Sequence, residues 1–302
     1  MTVPELTTAR LSRPRIRAGN LAPMLIVAAV VLALYWPLML WVNVGQARSS
    51  LESGADLGCK TPLACATQLR NPVLPAPAQL ASGLRNLSLP PLADTSAPYN
   101  TLVTAGETLV GLFVASVLGI VLALLLVVSV GFERALMPWL VASQTVPVIA
   151  LAPMLAVVLG SQGVQGWVPK ALIAAYIAFF PVCVGVARGL RSPDPLQLDL
   201  MRTYRAAPGA VFRKLRLPAS VPFLFTALKV AATAALIGAI VAEISTISFS
   251  GLGKMLAENS RASDTIALWV IMLYGAALGI LLVALIGLIE RGVTPWRAGQ
   301  PR

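Results

Sequence analysis

The first residue in this sequence able to do chemistry in an unusual setting is Glu243. It closes the apolar run "TALKVAATAALIGAIVAE", and an acid at membrane depth is costly unless it is paired or faces water. Two readings stay open: a pathway residue or outer gate, or an acceptor bonded to the "STIS" turn that follows. Lys229 stands near the other end of the same run, about fourteen residues or roughly 21 Å away along a helix. The two are therefore not partners, and the lysine reads as snorkelling to the interface. A second group is the stretch "SPDPLQLDLMRTYRAAPGAVFRKLRLPASVP", Ser192 to Pro222, which sets Arg202, Arg205, Arg213, Lys214 and Arg216 between two apolar segments. A third is Cys59 and Cys65 in a polar, proline-rich stretch. An oxidising compartment permits a disulfide between them, with two unpaired thiols as the alternative. Cys183, inside an apolar helix, reads as a packing residue.

What the sequence lacks narrows the chemistry. The 302 residues include no His, which removes His-based triads, His-containing zinc sites and most proton relays. The nearest approach to a phosphate-binding loop, "SFSGLGKM", has Ser248 where the first glycine belongs and Met255 where the hydroxyl belongs. No cofactor, no metal and no ATP site is expected on this chain, and it does not read as an enzyme. A formal charge of +11 raises nucleic acid as a partner, but no basic stretch carries interleaved aromatics for stacking on bases. The charge reads instead as the excess of Lys and Arg that holds loops on the cytoplasmic side of a membrane.

The elements that position these groups are membrane helices. With 57% hydrophobic and 12% charged residues and a mean hydropathy of +0.81, the chain lacks the charge to cover a soluble domain. Apolar runs long enough to cross a bilayer fall at about Leu21–Val42, Leu109–Val130, Leu136–Leu159, Val168–Val186, Phe223–Ile244 and Ile266–Ile289. The expected fold is all-α and polytopic, with about six transmembrane helices. A basic tail over 1–20 leads into a first transmembrane helix over 21–43, whose run is longer than a cleaved signal core. An external loop over 44–100 follows, in which "APAQLASGLRNL" suits a short amphipathic helix at the membrane surface. The transmembrane region over 101–291 contains the basic loop, 189–222, and a tail over 292–302 ends the chain. The third run is interrupted by Gln144, Thr145, Pro147 and Pro153. Such breaks persist in lipid only where neighbours or a cavity satisfy the freed backbone, which puts Gln144 and Pro147 in a bundle beside a pathway. Lys and Arg favour the segments that this topology assigns to the cytoplasm by about two to one, so both termini are expected there. Ala227, Ala231, Ala235 and Ala239 repeat every four residues, a smooth face for close helix contact within the subunit or at a dimer interface. Gly275 and Gly279 do likewise in the sixth run.

Within the basic loop, Asp194 before Pro195 is a helix start, with a carboxylate cap and a proline at the first helical position. That helix is expected to run to about Ala206, because Pro208 restricts the residue before it. A second short helix is expected from Pro208 to near Leu217–Pro218. Leu200, Met201 and Tyr204 share a face of the first, and Val211, Phe212 and Leu215 a face of the second. These faces rest either on the protein's own bundle and lipid headgroups, or in the groove of another protein.

At this point the residues resemble a family. "DLMRTYRAAPGAVFRKLRLP" looks like the cytoplasmic EAA loop of ABC importer permeases: Glu-Ala-Ala, three residues, Gly, nine residues, Ile, one residue, Leu-Pro. Asp199 takes the Glu place, Leu200 and Met201 the Ala places, Arg205 the Gly place and Leu215 the Ile place, while Leu217 and Pro218 match outright. With the Gly replaced by Arg205, Gly209 is the candidate for the missing flexibility. "LPAPAQLASGL", "QTVPVIALAPMLAVVLG", "FFPVCVGVARGLRSPDP", "RLPASVPFLFTALKVAATAALIGAIVAE" and "SGLGKML" then follow the order of the nitrate/sulfonate/taurine-type permeases. That group also includes importers of pyrimidine thiamin precursors and riboflavin. The resemblance implies a type I ABC importer permease fold in a bacterial cytoplasmic (inner) membrane. It implies two permease copies around one pathway, two ABC ATPase subunits beneath and an extracytoplasmic solute-binding protein. The basic loop, with Tyr204 and Phe212 as its bulkiest apolar residues, would then be the coupling helix in the ATPase groove. The rival is an ion-coupled secondary transporter, which needs intramembrane ionisable groups beyond Glu243; an intramembrane enzyme would need paired carboxylates. Because the loop carrying Cys59 and Cys65 is expected to face outward, both thiols should resist alkylation until the protein is reduced. Full labelling of both without reductant would show them free.

Overall fold

The computed structural model describes residues 21–53, 58–59, 61–246 and 250–295. The expected basic tails, with Arg10 to Arg17 at one end and Arg297 and Arg302 at the other, lie outside the described residues, as do Ile247 and Ser248 of the "STIS" turn. The described chain is helical: α1 (Leu21–Glu52), α2 (Pro62–Cys65), α3 (Pro77–Ser88), α4 (Ala97–Val128), α5 (Val130–Ser143), α6 (Val148–Ser161), α7 (Trp167–Leu190), α8 (Pro195–Thr203), α9 (Pro208–Val211), α10 (Leu217–Ser245), α11 (Leu252–Arg261) and α12 (Thr265–Val293). It divides into two units, Met1–Ala76 and Pro77–Arg302. Among the described residues five helices are long and apolar enough to cross a membrane, or six if the bent pair α5–α6 counts as one crossing.

In the first unit α1 runs on to Glu52, well past the expected end of the first crossing. Its second half is held by the chain that follows. Asn43 is fully buried and donates through Nδ2 to the carbonyls of Ala66 (3.1 Å) and Leu74 (2.7 Å), while its Oδ1 accepts from the Leu74 amide at 3.3 Å. Tyr35 donates to Pro75 O at 2.6 Å and Gln46 to Asn71 O at 2.8 Å. These side chains occupy backbone groups that the irregular segment would otherwise leave open. A disulfide joins Cys59 to Cys65, with Cα atoms 5.4 Å apart, and Cys65 packs with Ala47 and Leu69.

The second unit is built on α7, which packs most extensively against α10 and α4. Close approach is possible because small residues face one another. Ala227, Ala231, Ala235 and Ala239 are all buried, and the Cβ of Ala227 meets Gly185 of α7. The alanine stripe is thus used inside the subunit. Gly275 and Gly279 of α12 sit at ordinary distances from Ile240 and Leu236 of α10, so they do not make the close contact expected of them. The amphipathic segment is α3, which packs against α12, where Ser88 and Tyr274 share a hydrogen bond of 2.7 Å.

The expected third crossing is two helices meeting at 95°. The break spans Gln144 to Pro147, and Pro153 is accommodated within α6. Pro147 cannot donate a backbone bond and starts α6 in extended geometry. The carbonyl of Ser143 at the end of α5 is satisfied from a neighbouring helix by the Tyr176 hydroxyl. Gln144 and Pro147 are exposed on the bend.

The α4–α7 contact sets a test. A Cβ on Gly119 would lie 2.8 Å from both Phe179 O and the Val182 Cβ, whereas one on Gly106, in the same helix, would meet nothing within 4 Å. Gly119→Ala should lower the thermal stability of the purified protein by about 1–3 kcal/mol, and Gly106→Ala should not lower it.

Candidate functional site: the basic elbow and a buried charge cluster

The basic segment forms an elbow of two helical pieces. Asp194 caps α8, its Oδ1 accepting from the Leu196 amide at 2.8 Å, with Pro195 at the first helical position. The helix ends earlier than expected, at Thr203, because Arg205 turns the chain with φ of +51°. The amides of Arg205 and Ala206 donate back to Arg202 O (2.8 Å) and Met201 O (3.0 Å). This is the bonding of a Schellman cap, whose turning residue is usually glycine. The left-handed residue therefore stands where the family pattern has its Gly. Gly209 does not substitute for it; it lies inside α9, away from the positive-φ positions.

Pro208 opens α9 as expected, after Ala207 in extended geometry. The second piece does not stop at Leu217–Pro218. Residues Phe212–Arg216 form a π turn in which the Leu217 amide donates to Phe212 O, and the chain passes straight into α10. Pro218 offers no N–H, so a helix crossing it must lose a regular bond; the wider π turn sits just before that point. The second piece of the elbow and α10 are consequently one continuous rod from Pro208 to Ser245.

The apolar residues of the elbow divide by direction. Leu196 (77% exposed), Leu200 (55%) and Tyr204 (76%) follow one another at intervals of four and form an open stripe along α8. Leu196 belongs to this stripe although the pattern of the loop did not single it out. Phe212 packs against the bundle core, and Met201 and Leu215 are half-buried, while Asp199, Arg205, Gly209, Leu217 and Pro218 are exposed. Asp199 pairs with Arg202 at 3.0 Å. At the base of the elbow Arg191 donates to Glu133 Oε1 at 2.7 Å and to Leu126 O at 2.9 Å, tying the end of α7 to α4 and α5.

Glu243 is not a lone acid. It is 1% exposed, Glu107 of α4 is 3% and Lys170 of α7 is 5%. Lys170 forms an ion pair with Glu107, and Glu107 stands three residues along α4 from Thr104, which bonds Glu243. Among the described residues of the "STIS" turn, the Thr246 hydroxyl donates to Ala242 O and not to Glu243. The Oε2 of Glu243 accepts from the Gly253 amide at 2.6 Å and its Oε1 from the Thr104 hydroxyl at 2.8 Å. Asn100 Oδ1 accepts from Gly251 N at 2.6 Å, and Thr104 Oγ1 accepts from Leu252 N at 2.9 Å. The "SGLGK" segment thus directs one amide, at the start of α11, to the Glu243 carboxylate and two to the side chains of Asn100 and Thr104 on α4. Gly251 has φ of +116°, and a Cβ there would overlap the Glu243 carboxylate.

Glu107 and Lys170 escape sequence reasoning because they stand at the margins of apolar runs, where charge reads as loop. The spacing of "AGETLVG" within a continuing small-residue helix is the signal that was present. Lys229, read as snorkelling, instead pairs with Glu290 of α12 at 2.5 Å. Gln144 donates to the adjacent Ser143 and Pro147 caps α6; neither is a bonding partner of Glu243.

Residues 115–295 match the family of binding-protein-dependent transport system inner membrane components, and the chain belongs to it. It is a permease subunit of an ABC importer. The chain is 33% identical over 228 residues to the formylaminopyrimidine transport permease protein ThiX of Halalkalibacterium halodurans, covering 76% of this chain and 87% of that protein. It is 33% identical over 190 residues to the nitrate import permease protein NrtB of Leptolyngbya laminosa, covering 62% and 65%. The fold is also similar to a chain in inward-facing conformations of the MetNI methionine ABC transporter, with a TM-score of 0.57 at 19% identity, covering 65% of this chain and 95% of that one.

The left-handed Arg205 gives a local test. Arg205→Gly should stabilise the turn by up to about 1 kcal/mol, read as slower hydrogen exchange at the Ala206 amide, whereas Arg205→Val should speed that exchange.

Proposed function

We propose that two copies of this chain enclose the pathway of an ATP-driven importer, with both termini in the cytoplasm. ABC ATPase subunits grip the 189–222 elbow from below, and an extracytoplasmic binding protein delivers the solute from outside. The observation that carries this reading is the open Leu196–Leu200–Tyr204 stripe on α8, joined through the Arg205 turn to a second piece that runs unbroken into α10. An apolar stripe flanked by Arg202, Arg205 and Arg213 is suited to a groove with an apolar floor and acidic rim. Because the second piece of the elbow and α10 form one rod, displacement at the ATPase tilts a helix of the bundle. Two bundle states then need only differential contact with the ATPase dimer to be driven apart.

For the solute, we infer a small neutral heterocycle of the pyrimidine thiamin-precursor or riboflavin kind in preference to nitrate or a sulfonate. Two observations support this. A relative aligned over 76% of this chain is a formylaminopyrimidine transport permease. In addition, Lys170 and Lys229 are both bound to carboxylates, and an anion crossing a bundle needs cations or helix termini to compensate it.

The division of the elbow's apolar residues makes a two-part prediction. Tyr204→Asp, on the open stripe, should leave permease yield unchanged and weaken co-purification of the ATPase by about 2 kcal/mol or more, roughly thirtyfold. Phe212→Asp should instead lower the stability of the permease itself, because it buries a charge against the core. Undiminished co-purification with Tyr204→Asp would remove the stripe from the interface.

A further inference from the structure

Two arginines share one carboxylate where α5 begins, at the base of the elbow. Glu133 accepts from one guanidinium nitrogen of Arg191 at 2.7 Å, and a second nitrogen of Arg191 is committed to Leu126 O at 2.9 Å. Arg134, the next residue in the chain, is exposed. Among the described residues it makes no hydrogen bond or ion pair, and it acts on Glu133 only through its charge. Two cations against one anion leave an excess of one positive charge there. The other carboxylates of the elbow and of the adjoining helix ends are engaged elsewhere. Asp194 caps α8, Asp199 pairs with Arg202, and Glu290 pairs with Lys229.

A groove of about 530 Å³ runs along α5 from this point, lined by Glu133, Arg134, Met137, Pro138 and Val141. Its volume lies in the range of clefts that hold small molecules, about 300–1,000 Å³. Arg134, Met137, Pro138 and Val141 follow the spacing i, i+3, i+4 and i+7, so they share one face of the helix. Seven residues separate Arg134 from Val141, roughly 10 Å of helix rise. The groove therefore leads from the polar boundary marked by the Arg191–Glu133 pair into the apolar depth of the bent crossing. Pro138 stands inside α5 and supplies no N–H to the carbonyl four residues earlier. That leaves the Arg134 carbonyl without its regular helical donor, beside the guanidinium of the same residue.

We propose that this groove binds an anionic phospholipid, with the headgroup phosphate on Arg134 and an acyl chain along Met137, Pro138 and Val141. A guanidinium matches phosphate oxygens in geometry and charge, and cations at a membrane boundary attract anionic headgroups. A glycerol headgroup also carries hydroxyls, for which the Arg134 carbonyl is an acceptor. Other occupants fit less well. A second copy seated on the same patch by two-fold symmetry would set Arg134 against its own equivalent. A subunit lying beneath the membrane would meet the arginine but not Val141. The site needs α5 to stand in the membrane and is independent of what grips the elbow.

The test is native mass spectrometry of the full chain released from nanodiscs made of equal parts phosphatidylglycerol and phosphatidylcholine. The wild-type protein should retain phosphatidylglycerol in preference. Arg134→Gln should reduce that retention about fivefold, whereas Arg261→Gln, at an exposed cation ending α11, should leave it unchanged. Val141→Trp fills the groove and keeps both arginines, and it should reduce retention as well. Soluble glycerol phosphate in excess should not displace the lipid, because it has no chain to occupy the apolar part. Equal retention of the two lipids by the wild type overturns the proposal, as does wild-type retention in Arg134→Gln or in Val141→Trp. Release by glycerol phosphate would reduce the site to an anion contact and overturn it too. Disulfide cross-linking of Val141→Cys between two copies in the membrane would make the groove a subunit interface, with the same consequence.

Discussion

Charge taken out of water must be balanced where it lies, and much of this structure follows from that requirement. Lys170 of α7 is paired with Glu107 of α4, and Glu243 of α10 is bonded by Thr104 of α4 and the Gly253 amide, so these groups find their partners only when the three helices are together. The cluster therefore favours one arrangement of α4, α7 and α10 over sliding alternatives that the apolar faces alone would tolerate. In lipid, apolar contact between helices has little to gain over contact with acyl chains. Polar groups with a unique set of partners supply the registration that packing by itself does not.

The same helices come close enough for this because their contact faces are small. Gly111, Gly119, Gly185 and Gly238 each leave no room for a Cβ against the facing helix, and the alanine stripe of α10 continues the surface. Bulky residues such as Phe113, Ile237 and Leu281 are displaced outward. The bundle thus has a dense polar knot between α10 and the start of α11, and at the other end of the α9–α10 rod an elbow that shows its apolar side to the outside. A rod gripped at one end and loaded at the other is the mechanical element an importer needs.

Much of this was legible in the sequence, for identifiable reasons. Apolar runs of bilayer length gave the long helices, because their length is set by the hydrocarbon thickness. Asp194 with Pro195, and Pro208 with the residue before it, gave the starts of α8 and α9, because capping and proline geometry are local. What was not legible depended on partners distant in the chain. Glu107 and Lys170 look like loop charges until α4, α7 and α10 meet. The continuity through Pro218 needs a π turn that no residue type announces. Arg205 in left-handed geometry shows that the Schellman bonding, not the glycine, defines the turn. Gln144 and Pro147 were correctly read as a break, but periodicity carries no information on the 95° angle.

The central claim is that motion enters this bundle through the elbow from a separate nucleotide-hydrolysing subunit. The most direct measurement is uptake into proteoliposomes containing the permease with its ATPase and binding protein, using a labelled aminopyrimidine as the solute. The account predicts accumulation that requires internal ATP and all three components, and that ends when the ATPase is omitted. Accumulation by the permease alone, driven by an imposed ion gradient without ATP, would contradict it.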